Sequence, residues 1–170
     1  FYKDTSSLQN DILYSEKSKG AVAGEGAAFF SVSSSKIPGS MAEIAGVEIM
    51  SFTDKAEAVE RVRQLLERHE LTNPDVFVSG HNGDHINDHV NDFVATELHC
   101  DGRILKYKHW CGEFATATGF GTWLGAEILK NKIHPSWIPL PFKSGEPVNS
   151  LLIYNQQEGV HHSLILLRSC

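Results

Sequence analysis

The sequence predicts an α/β fold, with helices packed on a mixed, mostly parallel five-stranded sheet. Apolar runs of strand character alternate along the chain with segments of helical spacing. Strands separated by helices imply crossover connections and parallel neighbours. The last two apolar runs are separated only by a tight turn at Glu158-Gly159, which makes them an antiparallel hairpin.

Taken in order, residues 1–19 are polar and read as an irregular segment or the end of an upstream domain; residues 20–170 form the domain itself. Ala21–Val32 is small, then apolar, and reads as a buried strand, with Gly24 and Gly26 marking close backbone approach or a bulge. A second strand follows at Ala42–Phe52. Asp54 is a fitting N-cap for a helix whose Ala58, Val62, Leu65 and Leu66 share a face. Asn73-Pro74 ends that segment. Val76–Val78 is a short strand running into the turn Gly80–Asp84. Ile86, Val90, Phe93, Val94 and Leu98 make a second helical stripe, and Arg103–Tyr107 a further strand. Phe114–Leu129, rich in Ala, Thr and Gly, reads as a tightly packed buried helix. Pro135, Pro139 and Pro141 mark an extended connection, and Val148–Tyr154 and His162–Leu167 close the domain.

Composition narrows the function classes. The 170 residues are 41% hydrophobic and 21% charged, an ordinary globular balance. A net charge of −6 with both signs mixed argues against binding a phosphate backbone, so no nucleic acid partner is expected. A basic patch around Lys130 and Lys132 offers a place for an acidic partner. No stretch approaches the ~20 apolar residues of a membrane helix. Three cysteines, Cys100, Cys111 and Cys170, make no disulfide framework and point to a reducing, cytoplasmic compartment.

Three local sequences then stand in a telling order. Lys19–Ala28 reads KGAVAGEGAA; the Gly80–Asp84 turn follows the third strand and is itself followed by Asp88; Lys108–Gly119 reads KHWCGEFATATG. They resemble, respectively, the "G-F-V-x-G-E-G-A-A", "H-G-T-G-T" and "K-S-x-x-G-H-x-x-A-A-A-G" signatures of the C-terminal half of β-ketoacyl-acyl carrier protein synthases. Asn155–Ser163 occupies the place of that family's closing Gly-rich turn. The resemblance runs from about Lys19 to Arg168 and implies a thiolase-like half-domain.

In that family a Cys in the first half carries the acyl group. Two His side chains then hydrogen-bond the malonyl thioester oxygen as carbon dioxide leaves, which is oxyanion stabilisation. The resemblance therefore implies acyltransferase chemistry in fatty-acid or polyketide assembly. It also implies an acyl carrier protein as partner, a ketosynthase-like subunit or N-terminal half beside this chain, a dimer, and no cofactor beyond the carrier's phosphopantetheine. Carried onto this sequence, His81, Lys108 and Glu113 are the catalytic candidates, and Asn82, Asn155 and His162 the substrate-binding ones. Two departures stand out. With Asp88 on the family's Asp, Gly80 falls on the first His and His81 lies one residue late. The Lys108 and Gly112 spacing puts Glu113 on the second His, where an ionised carboxylate only accepts hydrogen bonds. The chain is then either a ketosynthase with altered chemistry or, the preferred reading, an accessory subunit resembling a chain-length factor.

Two other classes stay open. His81, Asp84, His85, Asp88, His89 and Asp92 form a dense run of metal-ligand residue types, with His85 and His89 on one helix face, as a metal-binding hydrolase or module would need. A purely structural half-domain completing another chain is the third. For the others, the plain readings are a solvated helix face for the His/Asp run and a small buried hydrophobe for Cys111.

Overall fold

The computed structural model describes residues 2, 13–15, 17–51, 54–131 and 147–170. The expected proline-marked connection, Lys132, the Phe52 strand end and most of segment 1–19 lie outside the described residues. Within them the elements are β1 (Glu43–Ser51), α1 (Lys55–Arg68), β2 (Val76–Ser79), α2 (Asp88–Glu97), β3 (Ile104–Lys106), α3 (Lys108–Cys111), α4 (Ala117–Asn131), β4 (Ser150–Gln157) and β5 (His161–Arg168). They form one five-stranded sheet in the order β1-β5-β4-β2-β3. The pairings β2 with β3 and β2 with β4 are parallel; β4 with β5 and β5 with β1 are antiparallel. The strands β1, β4, β2 and β3 run in one direction and β5 alone runs against them between β1 and β4, so the sheet is mixed and mostly parallel in strand direction, as expected.

Side-chain alternation divides the sheet into two working faces. Phe77, Leu152, Tyr154, Leu164 and Leu166 point to one, where α1 and α2 cover them with Val62, Leu65, Leu66, Val94 and Ala95. Val76, Val78, Leu151, Ile153 and Leu167 point to the other, where α4 brings Leu124, Ile128 and Leu129. Burying each such side chain contributes about 1.5–3 kcal/mol. Helix α1 starts where expected: the Asp54 carboxylate accepts from Ala56 N at 2.9 Å, satisfying one orphan amide of the first turn. Helix α4 lies close on the sheet because Gly125 sits where a Cβ would touch Leu167.

One expected element does not form. Among the described residues Ala21–Val32 makes only isolated bridges, Tyr2 with Ala21 and Ala23 with Glu113. Beyond Gly24 it is exposed rather than buried. Its apolar residues have strand character, but among the described residues no strand of this sheet pairs with it.

Candidate functional site

The site is built where the carboxyl end of β2, the start of α3 and the middle of the β4–β5 hairpin converge. Helix α3 is too short to leave a periodic signal in the sequence. It opens with Lys108, whose side chain is drawn almost fully inside, 1% exposed. Two acceptors take its ammonium: Glu113 Oε2 at 2.6 Å and Asn155 Oδ1 at 2.7 Å. Asn82 Nδ2 donates to the same Glu113 oxygen at 2.8 Å. Lys108, Glu113, Asn82 and Asn155 are thus one hydrogen-bonded group, assembled from positions up to 73 residues apart.

Glycine places Glu113 at this spot. A Cβ at Gly24 would overlap the Cys111 carbonyl oxygen, and Gly112 adopts φ 73°, a left-handed conformation that disfavours side chains. Backbone bonds then pin Glu113 on both sides, Glu113 N to Val22 O at 2.8 Å and Gly24 N to Glu113 O at 3.1 Å.

The turn after β2 shows what the sequence could not resolve. A Cβ at Gly80 would run into Asn155 Oδ1, so position 80 faces the Lys108 group. His81 turns the other way. Its Nδ1 meets Ser79 Oγ at 2.7 Å and its Nε2 meets Asp92 Oδ1 at 2.8 Å, so both ring nitrogens are engaged outside the group. Ser79, His81 and Asp92 have the contact order of a nucleophile relay, but Ser79 is wholly buried. The His81 contact holds the Asp92 carboxyl below its ordinary value, against a smaller opposing push from burial.

The His/Asp run serves the turn itself. Asp88 accepts from Asn82 N at 3.0 Å and Gly83 N at 2.8 Å, and burial raises its carboxyl. For Asp84, burial pushes upward. Hydrogen bonds from Gly20 N, the Asn87 amide and Ile86 N outweigh it and hold the carboxyl low. Among the described residues no three His, Cys, Asp or Glu side chains converge as a metal would need, so nothing here supports the metal-binding reading.

His162 is also placed away from the group. It pairs across from Gln156 on β4 and bonds the Tyr154 hydroxyl through Nδ1 at 2.8 Å, on the α1–α2 face; Asn155 points to the opposite one. Burial raises the Tyr154 phenol. Cys111 is half-buried, and burial pushes its thiol up to about 11, so it is no thiolate nucleophile at neutral pH. It helps line a cleft of about 380 Å³ between residues 25–30 and α4, with Phe114, Phe120 and Trp123; no member of the Lys108 group lines it. The sequence reading missed Tyr14, whose hydroxyl accepts from His109 N at 3.1 Å over the turn. No local pattern around it signals that contact.

Sequence comparison alone is silent: no family model matches the chain, and no curated protein does. Solved structures do match. The ishigamide ketosynthase/chain length factor aligns with a TM-score of 0.61 at 14% identity, over 76% of this chain and 38% of that one. The oxazolomycin ketosynthase domain OzmH KS8 of Streptomyces albus JA3453 gives 0.56 at 12% identity, over 76% and 45%. The ketosynthase in AntDE:AntF, a type II polyketide acyl-carrier protein in complex with its ketosynthase, gives 0.52 at 11% identity, over 76% and 34%. The chain therefore spans less than half the length of these structures. No helix among the described residues is long and apolar enough to cross a membrane. The mixed five-stranded sheet, its helices and these alignments agree that the chain has the thiolase-like fold of the ketosynthases.

Proposed function

We propose that this chain is an accessory unit of a ketosynthase assembly, resembling a chain-length factor, and does not itself stabilise the enolate formed when a malonyl thioester loses carbon dioxide. One observation carries the reading. The two places that would offer the enolate oxygen a donor hold none: Gly80 has no side chain, and Glu113 presents an oxygen already receiving two hydrogen bonds. A carboxylate beside a developing enolate repels it. Missing one such donor costs about 2.7–4 kcal/mol, a 100- to 1,000-fold loss in rate.

In this reading Lys108, Glu113, Asn82 and Asn155 hold the site in a closed, charge-paired form. His81 orders the turn and His162 the hairpin, neither touching substrate. The acyl carrier protein is the assembly's substrate carrier, as in the matched carrier–ketosynthase complex. A ketosynthase-type unit is the direct partner, in a dimer in the cytoplasm. The alternative, a synthase with altered chemistry, would use Glu113 as an acid or base with Lys108 positioning it. Carbon dioxide release from malonyl-carrier protein by the purified chain separates them. The accessory reading expects no rate above buffer; robust turnover by the chain alone removes it.

A further inference from the structure

A buried lysine and a carboxylate satisfy each other as an ion pair and need no third group. Here the ammonium also reaches a carboxamide on another element. Lys108 Nζ lies 2.6 Å from Glu113 Oε2 and 2.7 Å from Asn155 Oδ1. A carbonyl bond is about 1.23 Å long, so Nζ stands within about 3.9 Å of Asn155 Cγ. Atoms poised to react lie about 3–3.5 Å apart, so a small side-chain rotation closes the gap.

The surroundings suit a reaction between these groups. The Lys108 side chain is 1% exposed and that of Glu113 15%, so little water competes for either. Tyr107, next to Lys108 in the chain, and Ile153, on the Asn155 side of β4, are wholly buried. Gly80 leaves the room the carboxamide occupies: a Cβ there would lie 2.2 Å from Asn155 Oδ1 and 3.0 Å from its Cγ. One proton moved across the Lys108–Glu113 contact leaves a neutral amine and a neutral acid, which removes two buried charges together. The group holds two carboxamides. Asn82 bonds Glu113, whereas Asn155 bonds Nζ, so Asn155 is the one in reach of the amine.

We infer that Lys108 and Asn155 join through an intramolecular amide bond, made by the folded chain itself with Glu113 as the acid–base group. Glu113 takes one proton from the ammonium. The freed lone pair attacks Asn155 Cγ, and the carbonyl electrons move onto Oδ1. Glu113 then gives its proton to Nδ2 and takes a second from Nζ. The Cγ–Nδ2 bond breaks, ammonia leaves, and Oδ1 regains its double bond. One carbon–nitrogen bond forms and one is lost, with no oxidant, metal or further reactant. The ion pair described above is the chain before this step. The product ties the start of α3 to β4 across 47 residues of chain. It makes the closed form of the site permanent. The step does not rest on the accessory role, which the carbon dioxide assay tests by itself.

Mass spectrometry tests it. The purified chain is held folded at neutral pH for one week, then weighed intact and after trypsin digestion. The expected result is a chain lighter by one ammonia, uncut at Lys108, with the Lys108 peptide joined to the Asn155 peptide. A chain of full mass that trypsin cuts at Lys108 overturns the inference. So does a loss of ammonia without a joined peptide, which would assign it to cyclisation at an asparagine such as Asn82, which precedes Gly83. The chain kept unfolded in urea is expected to stay linear; joining there would show that the folded geometry is not the cause. Glu113→Gln keeps the shape but cannot carry the proton, and should join at least about 100-fold more slowly. Lys108→Arg keeps the charge but does not deprotonate, and should stay linear. Circular dichroism confirms that each variant folds, and joining of the folded Glu113→Gln chain at the parent's rate would remove Glu113 from the step and overturn the mechanism.

Discussion

On the face covered by α1 and α2, Phe77, Leu152, Tyr154, Leu164 and Leu166 are all withdrawn from water, and even the buried hydroxyl of Tyr154 has its partner in His162. On the α4 face the sheet is dry only beneath the helix. There β1 turns Val47 and Ile49 outward, residues 25–30 lie exposed along one wall of the cleft beside α4, and the buried charge pair Lys108–Glu113 lies at the rim. The first face is a finished core. The second has the chemistry of an interface: apolar in the middle, with its polar groups tied to one another. Substitutions should separate the two.

The largest effect is expected in the finished core. Phe77→Ala should cost about 3–5 kcal/mol in urea unfolding, through lost transfer energy and a residual cavity. A loss under about 1 kcal/mol would show that this face is loosely packed. Lys108→Met comes next. It strands Glu113 beside Asn82 without its cation, and breaking a buried pair from one side costs about 3 kcal/mol or more. The double variant Lys108→Met/Glu113→Leu should recover much of that loss; no recovery would mean the lysine acts through packing alone.

A smaller effect, readable mainly by its pH dependence, is expected at Asp92. Its carboxyl is lowered in the folded protein by His81, so its contribution is present above the unfolded value of about 4 and lost as pH falls through the folded one. Asp92→Asn should therefore be less stable than the parent at neutral pH, with the difference vanishing in strong acid. A difference that persists there would assign it to shape instead of charge. Least of all, Ile49→Ala should change the isolated chain by no more than about 0.5 kcal/mol. A core-sized loss would show that β1 is covered already.

Much of the fold was legible because its signals are local. The Asp54 cap, the apolar stripe of α1 and the Glu158-Gly159 turn are each written within a few residues, and each forms. The segment Ala21–Val32 was misjudged for an instructive reason: strand character in Phe29–Val32 is a property of the sequence, but burial needs a neighbour, and no strand among the described residues supplies one. The site was legible in part. The short signatures brought Lys108, Glu113, Asn82 and Asn155 forward, and these four do meet. His81 and His162 were brought forward too, yet both face away. In a strand or its first turn residue, a step of one position reverses the direction of the side chain. Gly80 faces the group, and its neighbour His81 faces Asp92; Asn155 and Gln156 divide the hairpin in the same way.

The most direct test of the account is Glu113→Gln, followed by carbon dioxide release from malonyl-carrier protein in the native assembly. An accessory site that already keeps its carboxylate paired predicts a rate within about twofold of the parent. A fall of 100-fold or more, the size expected for losing a group that acts on the transition state, would contradict it.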